Sequence, residues 1–477
     1  MNAASEPLRN DASIPNQPPG REPSLRQPQA GTNERAGEPG GLATPSRQWI
    51  PPPDAFRPTP GSNITRIYGI SDCVIAVAFT LFVVNIRLPP PGLNASGLRG
   101  FVAGNMLVDD ALYVGAYLVV ASSWISHYRI LTYMRQSNAL FVLLNVVFLG
   151  SIVFLPVPVA LFYRYVGQEG VWQVFAGTQL VTSTTLLLMW IVARADRLLD
   201  TETPAAYVRS LTARLLIISC GTLLSFGVAF VSTVVAEGIF LFQFLLAGLL
   251  HVRSYRRHRG GDHLPGTTRM CSITDNMTAV ALTFLIATIT SAGASNSQQP
   301  FAQTLAAIWT ALPLYGITFL IVGFYWLSHH RLFMLIRRHN MVLIWLNFAF
   351  LLFIELQPQF NALHATYPSS ALTQFLYAVN QALCGLMLVV IWVYAAQKHR
   401  LIDGTMNRAQ SVAIAWRALV PPLFFLLSIA VVFFRSGYAV PLWLLVIGVE
   451  VAREIASPVR RGIYQARRVI SSAERKV

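Results

Sequence analysis

Long apolar runs dominate this sequence and leave it little choice of fold. Stretches of roughly 18 to 25 apolar residues recur between about residue 66 and residue 453. About 20 helical residues are needed to cross a hydrocarbon layer of about 30 Å, and backbone polar groups in lipid must bond to one another. Of the 477 residues, 54% are hydrophobic and only 12% are charged. The sequence therefore predicts an all-α polytopic membrane protein whose solvent is the bilayer.

Twelve such runs divide the chain into two sets of six. The first predicted spans lie at about 66–88, 106–125, 139–162, 173–193, 214–235 and 237–252, and the second at about 270–291, 305–326, 341–364, 374–396, 417–434 and 438–453. We assign residues 62–257 and 258–456 to two six-helix units. Residues 1–61, rich in Pro, Gly, Arg, Asn and Ser, predict a disordered cytoplasmic tail without a secretory signal peptide. Residues 457–477 predict a basic cytoplasmic tail.

Basic residues mark one side of the membrane. All but four of the 36 Lys and Arg residues fall in the two tails or in the connections after even-numbered spans. The exceptions are Arg87, Arg99, Arg164 and Arg435. Because cytoplasmic connections carry the excess of Lys and Arg, both termini are predicted to face the cytoplasm of a cell membrane. The net charge of +15 is spread over these connections, so it indicates topology and no nucleic-acid partner.

The two halves of the chain repeat one another at an offset of about 202 or 203 residues. Arg66–Asp72 (RIYGISD) recurs as Arg269–Asp275 (RMCSITD), and Trp124–Arg129 (WISHYR) as Trp326–Arg331 (WLSHHR). Other residues repeat at the same spacing: Val77, Thr80, Asn138, Asn145, Pro156, Gln179 and Trp190 as Val280, Thr283, Asn340, Asn347, Pro358, Gln381 and Trp392. An even number of spans per unit makes the repeats parallel, with an axis along the membrane normal. This arrangement favours a shared central pore, although parallel repeats also occur in transporters.

These motifs resemble the lysosomal potassium channel family of the transmembrane protein 175 type, over about residues 66–453. The resemblance rests on the R-x-x-x-hydrophobic-Ser/Thr-Asp starts of spans one and seven, the threonine eight residues after each Asp, and the W-x-x-H ends of spans two and eight. It implies a potassium-permeable cation channel with K+ as the permeant ion and no cofactor, and it leaves proton permeability open. It also implies that two-repeat chains form a homodimer in the lipid bilayer, which brings four pore-lining helices together.

The resemblance assigns roles to the first span of each repeat. It implies that this helix lines the pore and that the aliphatic residue five positions after the Asp, Val77 or Val280, forms the narrowest point. The threonines are carried over as pore-facing residues. At about 100° per residue, each helix presents one stripe, made of Val77, Thr80 and Val84 on the first and Val280, Thr283 and Ala287 on the second. Four such stripes would form a constriction that closes by excluding water; the alternative is a packing seam between helices.

Five positions depart from the family pattern. Ile70 and Ile273 stand where the family has an aromatic residue before Ser-Asp, and Thr274 replaces the second serine. Valine also replaces the usual isoleucine or leucine at the constriction. These changes leave selectivity and leak open.

A second group of repeated residues is polar and lies near the predicted cytoplasmic ends of the same helices. Asp72 and Asp275 fall about 140° from the valines, off the pore stripe. Because an ionisable residue at membrane depth needs a partner, we interpret each Asp as a structural partner of the arginine six residues earlier, clustered with the histidine and tryptophan of the next span. The predicted cluster comprises Arg66, Ser71, Asp72, His127, Arg269, Thr274, Asp275 and His329. Interfacial anchoring is the alternative, and histidine would make the cluster sensitive to pH.

Other polar residues within the spans carry weaker signals. Asn145 and Asn347 are expected to form interhelical hydrogen bonds. Glu355 and Glu450 stand in apolar surroundings without a counterpart in the other repeat. The four cysteines are far apart and form no C-x-x-C pair, so neither a metal site nor a disulfide framework is predicted.

Two other functions compete with the channel. A proton-coupled secondary transporter of a small solute would use Asp72, Asp275 and the histidines as proton carriers. A transporter should saturate with its substrate, whereas a channel should not. An enzyme is not expected, because the sequence lacks H-E-x-x-H, G-x-S-x-G, P-loop and paired-carboxylate arrangements.

Overall fold

The computed structural model describes residues 62–165, 168–257, 267–286, 289, 300–397, 400–402, 406–434 and 440–452. The first repeat is a series of helices, which are α1 (Ser62–Val84), α2 (Ala95–Phe101), α3 (Leu107–Leu131), α4 (Ala139–Phe154), α5 (Pro156–Arg164), α6 (Glu169–Ala195), α7 (Ala205–Val228) and α8 (Thr233–Arg257). A short π-helical turn joins α2 to α3.

The second repeat follows the same order. Its helices are α9 (Thr268–Phe284), α10 (Phe301–Leu335), α11 (Met341–Glu355), α12 (Gln357–Thr366), α13 (Ala371–Ala396), α14 (Arg408–Phe434) and α15 (Val440–Ala452). The predicted tails, residues 1–61 and 457–477, and the predicted pore residue Ala287 lie outside the described residues.

Nine helical segments of the described chain are long and apolar enough to cross a membrane. The other three predicted spans coincide with shorter helices, which are Thr233–Leu249 within α8, the described helix α9, and α15. The prediction of an all-α polytopic fold with an internal repeat is therefore confirmed.

The third span of each repeat begins and breaks at equivalent residues. The Oδ1 atoms of Asn138 and Asn340 accept a hydrogen bond from the N–H three residues on, at 2.8 and 3.0 Å, and so cap α4 and α11. Pro156 and Pro358 then stand in the first turn of α5 and α12. Since proline lacks the N–H that would continue the ladder, the span divides there into two helices.

The two repeats meet where α1 packs against α9 and where α1 and α3 cover α11. The ring of Phe79 on α1 lies 4.6 Å from that of Tyr117 on α3 and 5.9 Å from that of Phe348 on α11, measured between centroids. The Tyr117 hydroxyl also donates a hydrogen bond of 2.8 Å to the Phe348 carbonyl. Aromatic packing and a buried hydrogen bond thus contribute to the contact between the two repeats.

This contact uses different faces of the two repeats. Phe348 on α11 is 1% exposed, whereas its counterpart on α4, Val146, is 59% exposed. Conversely, Trp124 on α3 is 0% exposed, whereas its counterpart on α10, Trp326, is 36% exposed. The contact is therefore heterologous, and each repeat keeps open the face that the other repeat has used.

Gly385 allows α13 to approach α14 closely. A Cβ atom at this position would lie 2.8 Å from Cδ and 3.0 Å from Cγ of Pro422, whose ring cannot rotate away. We expect Gly385→Ala to lower the free energy of unfolding by roughly 1–3 kcal/mol, the usual cost of overpacking. Gly150→Ala on α4 is the control, because a Cβ there meets nothing within 4 Å. Thermal unfolding in detergent measures both variants, and equal melting temperatures would contradict the close approach.

Candidate functional site

The carboxylate of Asp72 on α1 is fully buried and bonds to groups from two other helices. Its Oδ1 atom accepts the indole N–H of Trp124 at 2.8 Å and the Nε–H of Arg269 at 3.2 Å. The Nη2 atom of Arg269 also lies 3.1 Å from this oxygen, and the arginine side chain is itself buried. A buried charge in a membrane protein needs such a partner. This ion pair therefore ties α1 to α9.

Aromatic rings surround the arginine of this pair. The guanidinium carbon of Arg269 lies 4.8 Å from the ring centroid of Tyr68, 5.4 Å from that of Trp124 and 5.3 Å from that of Tyr128. Rings at these distances attract a cation through their negative faces. The buried guanidinium is thus compensated by one carboxylate and three rings.

His127 extends the network from the arginine to the third span. Arg269 Nη2 donates to His127 Nδ1 at 2.7 Å, and His127 Nε2 lies 2.8 Å from Asn145 Oδ1. Because a guanidinium can only donate, Nδ1 must accept, so His127 is neutral and its Nε2–H donates to Asn145. Asn145 Nδ2 then donates to Ser71 Oγ at 3.2 Å. The expected interhelical role of Asn145 is confirmed.

Half of this network recurs in the second repeat. His329 Nε2 lies 2.8 Å from Asn347 Oδ1, Asn347 Nδ2 donates to Thr274 Oγ1 at 2.8 Å, and Trp326 Nε1 donates to Asp275 Oδ1 at 2.8 Å. Asp275 is exposed, and no basic side chain of the described residues pairs with it. No group of three or more His, Cys, Asp or Glu side chains within those residues is placed to hold a metal ion.

The position of Arg66 corrects one expectation. We predicted that each Asp pairs with the arginine six residues earlier, yet Arg66 is exposed and Asp72 is bound by Arg269 of the other repeat. Six residues rotate the helix by about 600°, which leaves the two side chains about 120° apart. Arg66 therefore points away from the carboxylate on its own helix, and the partner comes from the neighbouring helix.

Helices α1 and α9 each have one stripe of side chains that is at least partly exposed, and the two stripes occupy equivalent positions of the repeat. Equivalent side chains are at least partly exposed on both helices at three successive positions, each four residues from the next. These positions are Cys73, Val77 and Leu81 on α1 and Asn276, Val280 and Phe284 on α9. Val84 is also exposed on α1. Both predicted constriction residues thus lie on a face that the chain leaves open.

Thr80 lies off this stripe, and its predicted pore-facing position is wrong. The side chain is fully buried, and its hydroxyl donates to the Ala76 carbonyl at 3.2 Å. Three residues beyond Val77 the helix has turned by about 300°, which points Thr80 about 60° to one side. A side chain that its own chain covers completely cannot line a lumen. The equivalent Thr283 is exposed, and its hydroxyl donates to the Ala279 carbonyl at 2.8 Å.

Replacement of Asp72 by Asn tests the ion pair between the repeats. Arg269 would remain buried without a counter-charge, so we expect the free energy of unfolding to fall by about 3–5 kcal/mol. Asp200→Asn is the control, because its partner Arg135 is mostly exposed and water screens that pair. Melting temperatures of the purified proteins in detergent measure both effects. An unchanged melting temperature in Asp72→Asn would show that the pair does not hold the repeats together.

Two relatives that are named as ion channels match part of this chain. A potassium channel of Streptomyces collinus is 27% identical over 184 residues, which are 36% of this chain and 87% of that protein. The human endosomal/lysosomal proton channel TMEM175 is 28% identical over 185 residues, which are 38% of this chain and 37% of that protein. The match thus spans little more than a third of the human relative.

A solved structure is also similar to part of this chain. The crystal structure of a lysosomal potassium-selective channel TMEM175 homologue from Chamaesiphon minutus shares 26% sequence identity with this chain. The match covers 40% of this chain and 98% of that one, with a TM-score of 0.33.

The family model for the endosomal/lysosomal potassium channel TMEM175 matches the chain twice, at residues 66–156 and 269–358. The two matches begin at the two copies of the arginine-to-aspartate motif, and they include the networks around Asp72 and Asp275. One family model thus matches both copies of the internal repeat, and each copy is similar to the TMEM175 family.

Proposed function

We propose that this protein is a potassium-permeable channel that conducts passively through a lumen lined by α1 and α9, with Val77 and Val280 at its constriction. The observation that carries the proposal is the stripe along which equivalent positions of both helices are uncovered. Relatives named as potassium channels and proton channels support cation conduction. K+ is the proposed permeant ion, and the conduction needs no cofactor.

A second copy of the chain is proposed to complete the lumen. The contact between the repeats is heterologous, and repetition of such a contact closes a ring when the rotation permits. The second repeat keeps open the face that carries Asp275, Thr283 and Trp326, while the first repeat keeps open the face that carries Arg66 and Val146. These are the two complementary halves of the contact already made within the chain. A homodimer would join them twice and surround one axis with four equivalent helices.

Charge favours this assembly. Arg66 of one copy would occupy, beside Asp275 and His329 of the other, the place that Arg269 occupies beside Asp72 and His127. An exposed carboxylate and an exposed guanidinium on membrane helices are both costly in lipid. Pairing them across two copies removes both costs.

The valine ring is proposed to act as a dehydration barrier. An ion passing four apolar side chains loses water without gaining protein oxygens, so a narrow apolar ring resists conduction until it becomes hydrated. Cys73 and Asn276 lie one turn away towards the Asp72 end, and Leu81 and Phe284 lie one turn away towards the other end. The ring therefore stands between a more polar level and a second apolar level.

We also propose that the protein is a multi-pass protein of the cell membrane with both termini in the cytoplasm. The support is the distribution of Lys and Arg, of which only Arg87, Arg99, Arg164 and Arg435 fall on the other side. With this orientation, the Asp72 end of the lumen faces the cytoplasm.

Charge reversal tests the homodimer. Arg66→Asp places two carboxylates at each contact between copies, so we expect the purified protein in detergent to change from dimer to monomer. Asp275→Arg alone should act in the same way, and the double variant should restore the dimer because the charges are exchanged. Native mass spectrometry measures the assembly. A wild-type monomer, or single variants that remain dimeric, would contradict the proposed contact.

Substitution of the valines tests the constriction. Asn at positions 77 and 280 makes the ring polar and weakens dewetting, so we expect K+ flux into proteoliposomes to rise by about tenfold or more, which corresponds to about 1.4 kcal/mol or more off the barrier. The same change at positions 81 and 284 should raise flux less if the valines form the main barrier. Leu223→Asn, at an exposed site on α7, should leave flux unchanged.

Two outcomes would overturn the proposed function. A larger increase in flux from positions 81 and 284 than from the valines would move the constriction one turn along α1 and α9. Absence of K+ flux from both the wild type and the valine variants, with saturable proton-coupled uptake of an organic solute, would identify a transporter.

A further inference from the structure

The first repeat contains a cavity of about 300 Å3 among α3, α5, α6 and α8. Four aromatic rings form one wall of it, those of Phe162 on α5, Trp172 and Phe175 on α6, and Phe240 on α8. The centroids of neighbouring rings lie 5.3 to 6.1 Å apart, and most pairs meet edge to face. Rings at these distances and angles attract one another. The wall is therefore held in place by its own packing.

Small residues on α3 leave this space unfilled. Ala111 and Gly115 are four residues apart, so they lie on one face of the helix, and both line the cavity. A Cβ atom at Gly115 would meet nothing within 4 Å. A side chain at this position would thus enter open space without pressing on a neighbour.

The second repeat has larger side chains at the equivalent places. At the offset of the repeat, Pro313 and Ile317 correspond to Ala111 and Gly115, and Trp443 corresponds to Phe240. Ile317 and Trp443 are buried. The ring of Trp443 lies 4.5 Å from that of Tyr377, and its indole N–H donates to Ser428 Oγ at 3.1 Å. The repeated scaffold therefore does not require a cavity at this place, and the residues of the first repeat create it.

Trp172 brings to the cavity a hydrogen-bond donor that the chain does not use. The side chain is buried, and its Nε1–H has no acceptor among the described residues. Its counterpart in the second repeat, Gln374, donates to the Pro368 carbonyl at 2.7 Å. Because buried donors are nearly always bonded, the cavity suits a molecule that carries an acceptor oxygen.

Glu237 places a negative charge at the rim of the cavity. It lines the cavity near the start of α8, its side chain is exposed, and no basic side chain of the described residues pairs with it. The second repeat has Val440 at this position. An acid on a membrane helix requires a partner, and here a cation from outside the chain can supply it.

The cavity opens sideways, between α3 and α8. Its exposed lining residues include Ala111 and Gly115 on α3 and Glu237 and Leu241 on α8. Trp124, which packs on Phe348 of the second repeat, follows Gly115 by nine residues, a rotation of about 900°. Gly115 therefore lies on the side of α3 opposite to the contact between the repeats, where the helix faces lipid.

The opening lies close to the lipid headgroups of one leaflet. With the orientation proposed above, α3 and α8 both run towards the cytoplasm, so their first turns belong to the outer leaflet. Glu237 comes four residues after Thr233, the first residue of α8, which is about 6 Å along the helix. A headgroup at the membrane surface can thus reach the carboxylate while an acyl chain enters the cavity.

We propose that this cavity binds a phospholipid with an ammonium headgroup, of which phosphatidylethanolamine is the simplest. One acyl chain lies against the four rings. An ester carbonyl oxygen accepts the Nε1–H of Trp172, and the ammonium group pairs with the Glu237 carboxylate. The site is separate from the lumen proposed above, and its test requires no measurement of ion flux.

Charge selects this headgroup over an anionic one. Phosphatidylglycerol offers the same acyl chains and ester groups, but it brings no cation and would place a net negative charge beside Glu237. One partly exposed ion pair gained or lost changes affinity on the order of fivefold. We therefore expect a preference of about that size.

Retention of lipid by the purified protein measures this preference. The full chain, depleted of lipid in detergent, is incubated with equimolar phosphatidylethanolamine and phosphatidylglycerol of identical acyl chains, and bound lipid is counted by native mass spectrometry. The wild type should retain phosphatidylethanolamine on the order of fivefold more than phosphatidylglycerol. Equal retention of the two lipids would overturn the proposal.

Filling of the cavity tests its role. Gly115→Ile and Phe240→Trp each introduce the residue of the second repeat, and both variants should lose the preferential retention. Gly150→Ile on α4 is the matched control, because a Cβ there also meets nothing within 4 Å. Phosphatidylethanolamine should raise the melting temperature of the wild type and the control but not of the filled variants, since a ligand stabilises only a protein that binds it. Wild-type retention in both filled variants would contradict the site.

Replacement of the acid separates the headgroup from the acyl chain. Glu237→Gln keeps the cavity, so it should still retain phospholipid but without a preference between the two headgroups. Glu202→Gln, at an exposed acid between α6 and α7, should keep the wild-type preference. Soluble phosphoethanolamine, which lacks acyl chains, should not displace the lipid from the wild type. Displacement by this compound, or an unchanged preference in Glu237→Gln, would overturn the proposal.

Discussion

The ion pair between Asp72 and Arg269 is the contact on which the relation between the two repeats depends. Each partner is buried, so neither charge is tolerable without the other. The pair joins α1 to α9 through different positions of the same motif, because Arg269 is the counterpart of Arg66 and lies six residues before Asp275. The aromatic cage of Tyr68, Trp124 and Tyr128 fixes the guanidinium in this position.

Near-identical motifs have unequal surroundings in one chain. Asp72 has an arginine, whereas Asp275 has only the indole N–H of Trp326 among the described residues. The difference arises because a heterologous contact made once leaves one half open at each end. The open halves carry opposite charges, and the proposed homodimer would bring them together. Glu355 is buried in the second repeat, whereas its counterpart Val153 in the first repeat is exposed.

Much of the fold can be predicted from the sequence, because the bilayer allows few alternatives. Apolar runs indicate the spans, Asn138 and Pro156 mark where the third span begins and breaks, and the offset between the motifs gives the repeat. Two predictions about side chains were wrong, for one reason. The helical period tells which residues share a face of their own helix, but it does not tell which neighbouring helix occupies that face. Arg66 was therefore given the wrong partner, and Thr80 was placed in the lumen although α11 covers it. The sequence does single out Glu355, as an acid in an apolar run, but only the structure shows that it is buried and unbonded.

Convergence of four helices on one axis is the central claim, and cadmium block of K+ flux tests it most directly. In a background without the four native cysteines, Cys at positions 77 and 280 would place four thiolates around the lumen, and thiolates bind soft metal ions tightly. The account predicts that micromolar Cd2+ blocks K+ flux in proteoliposomes, that a chelator reverses the block, and that Cys at either position alone gives a weaker block. Flux that persists unchanged in Cd2+ with all four thiols present would contradict a lumen enclosed by α1 and α9 of two chains.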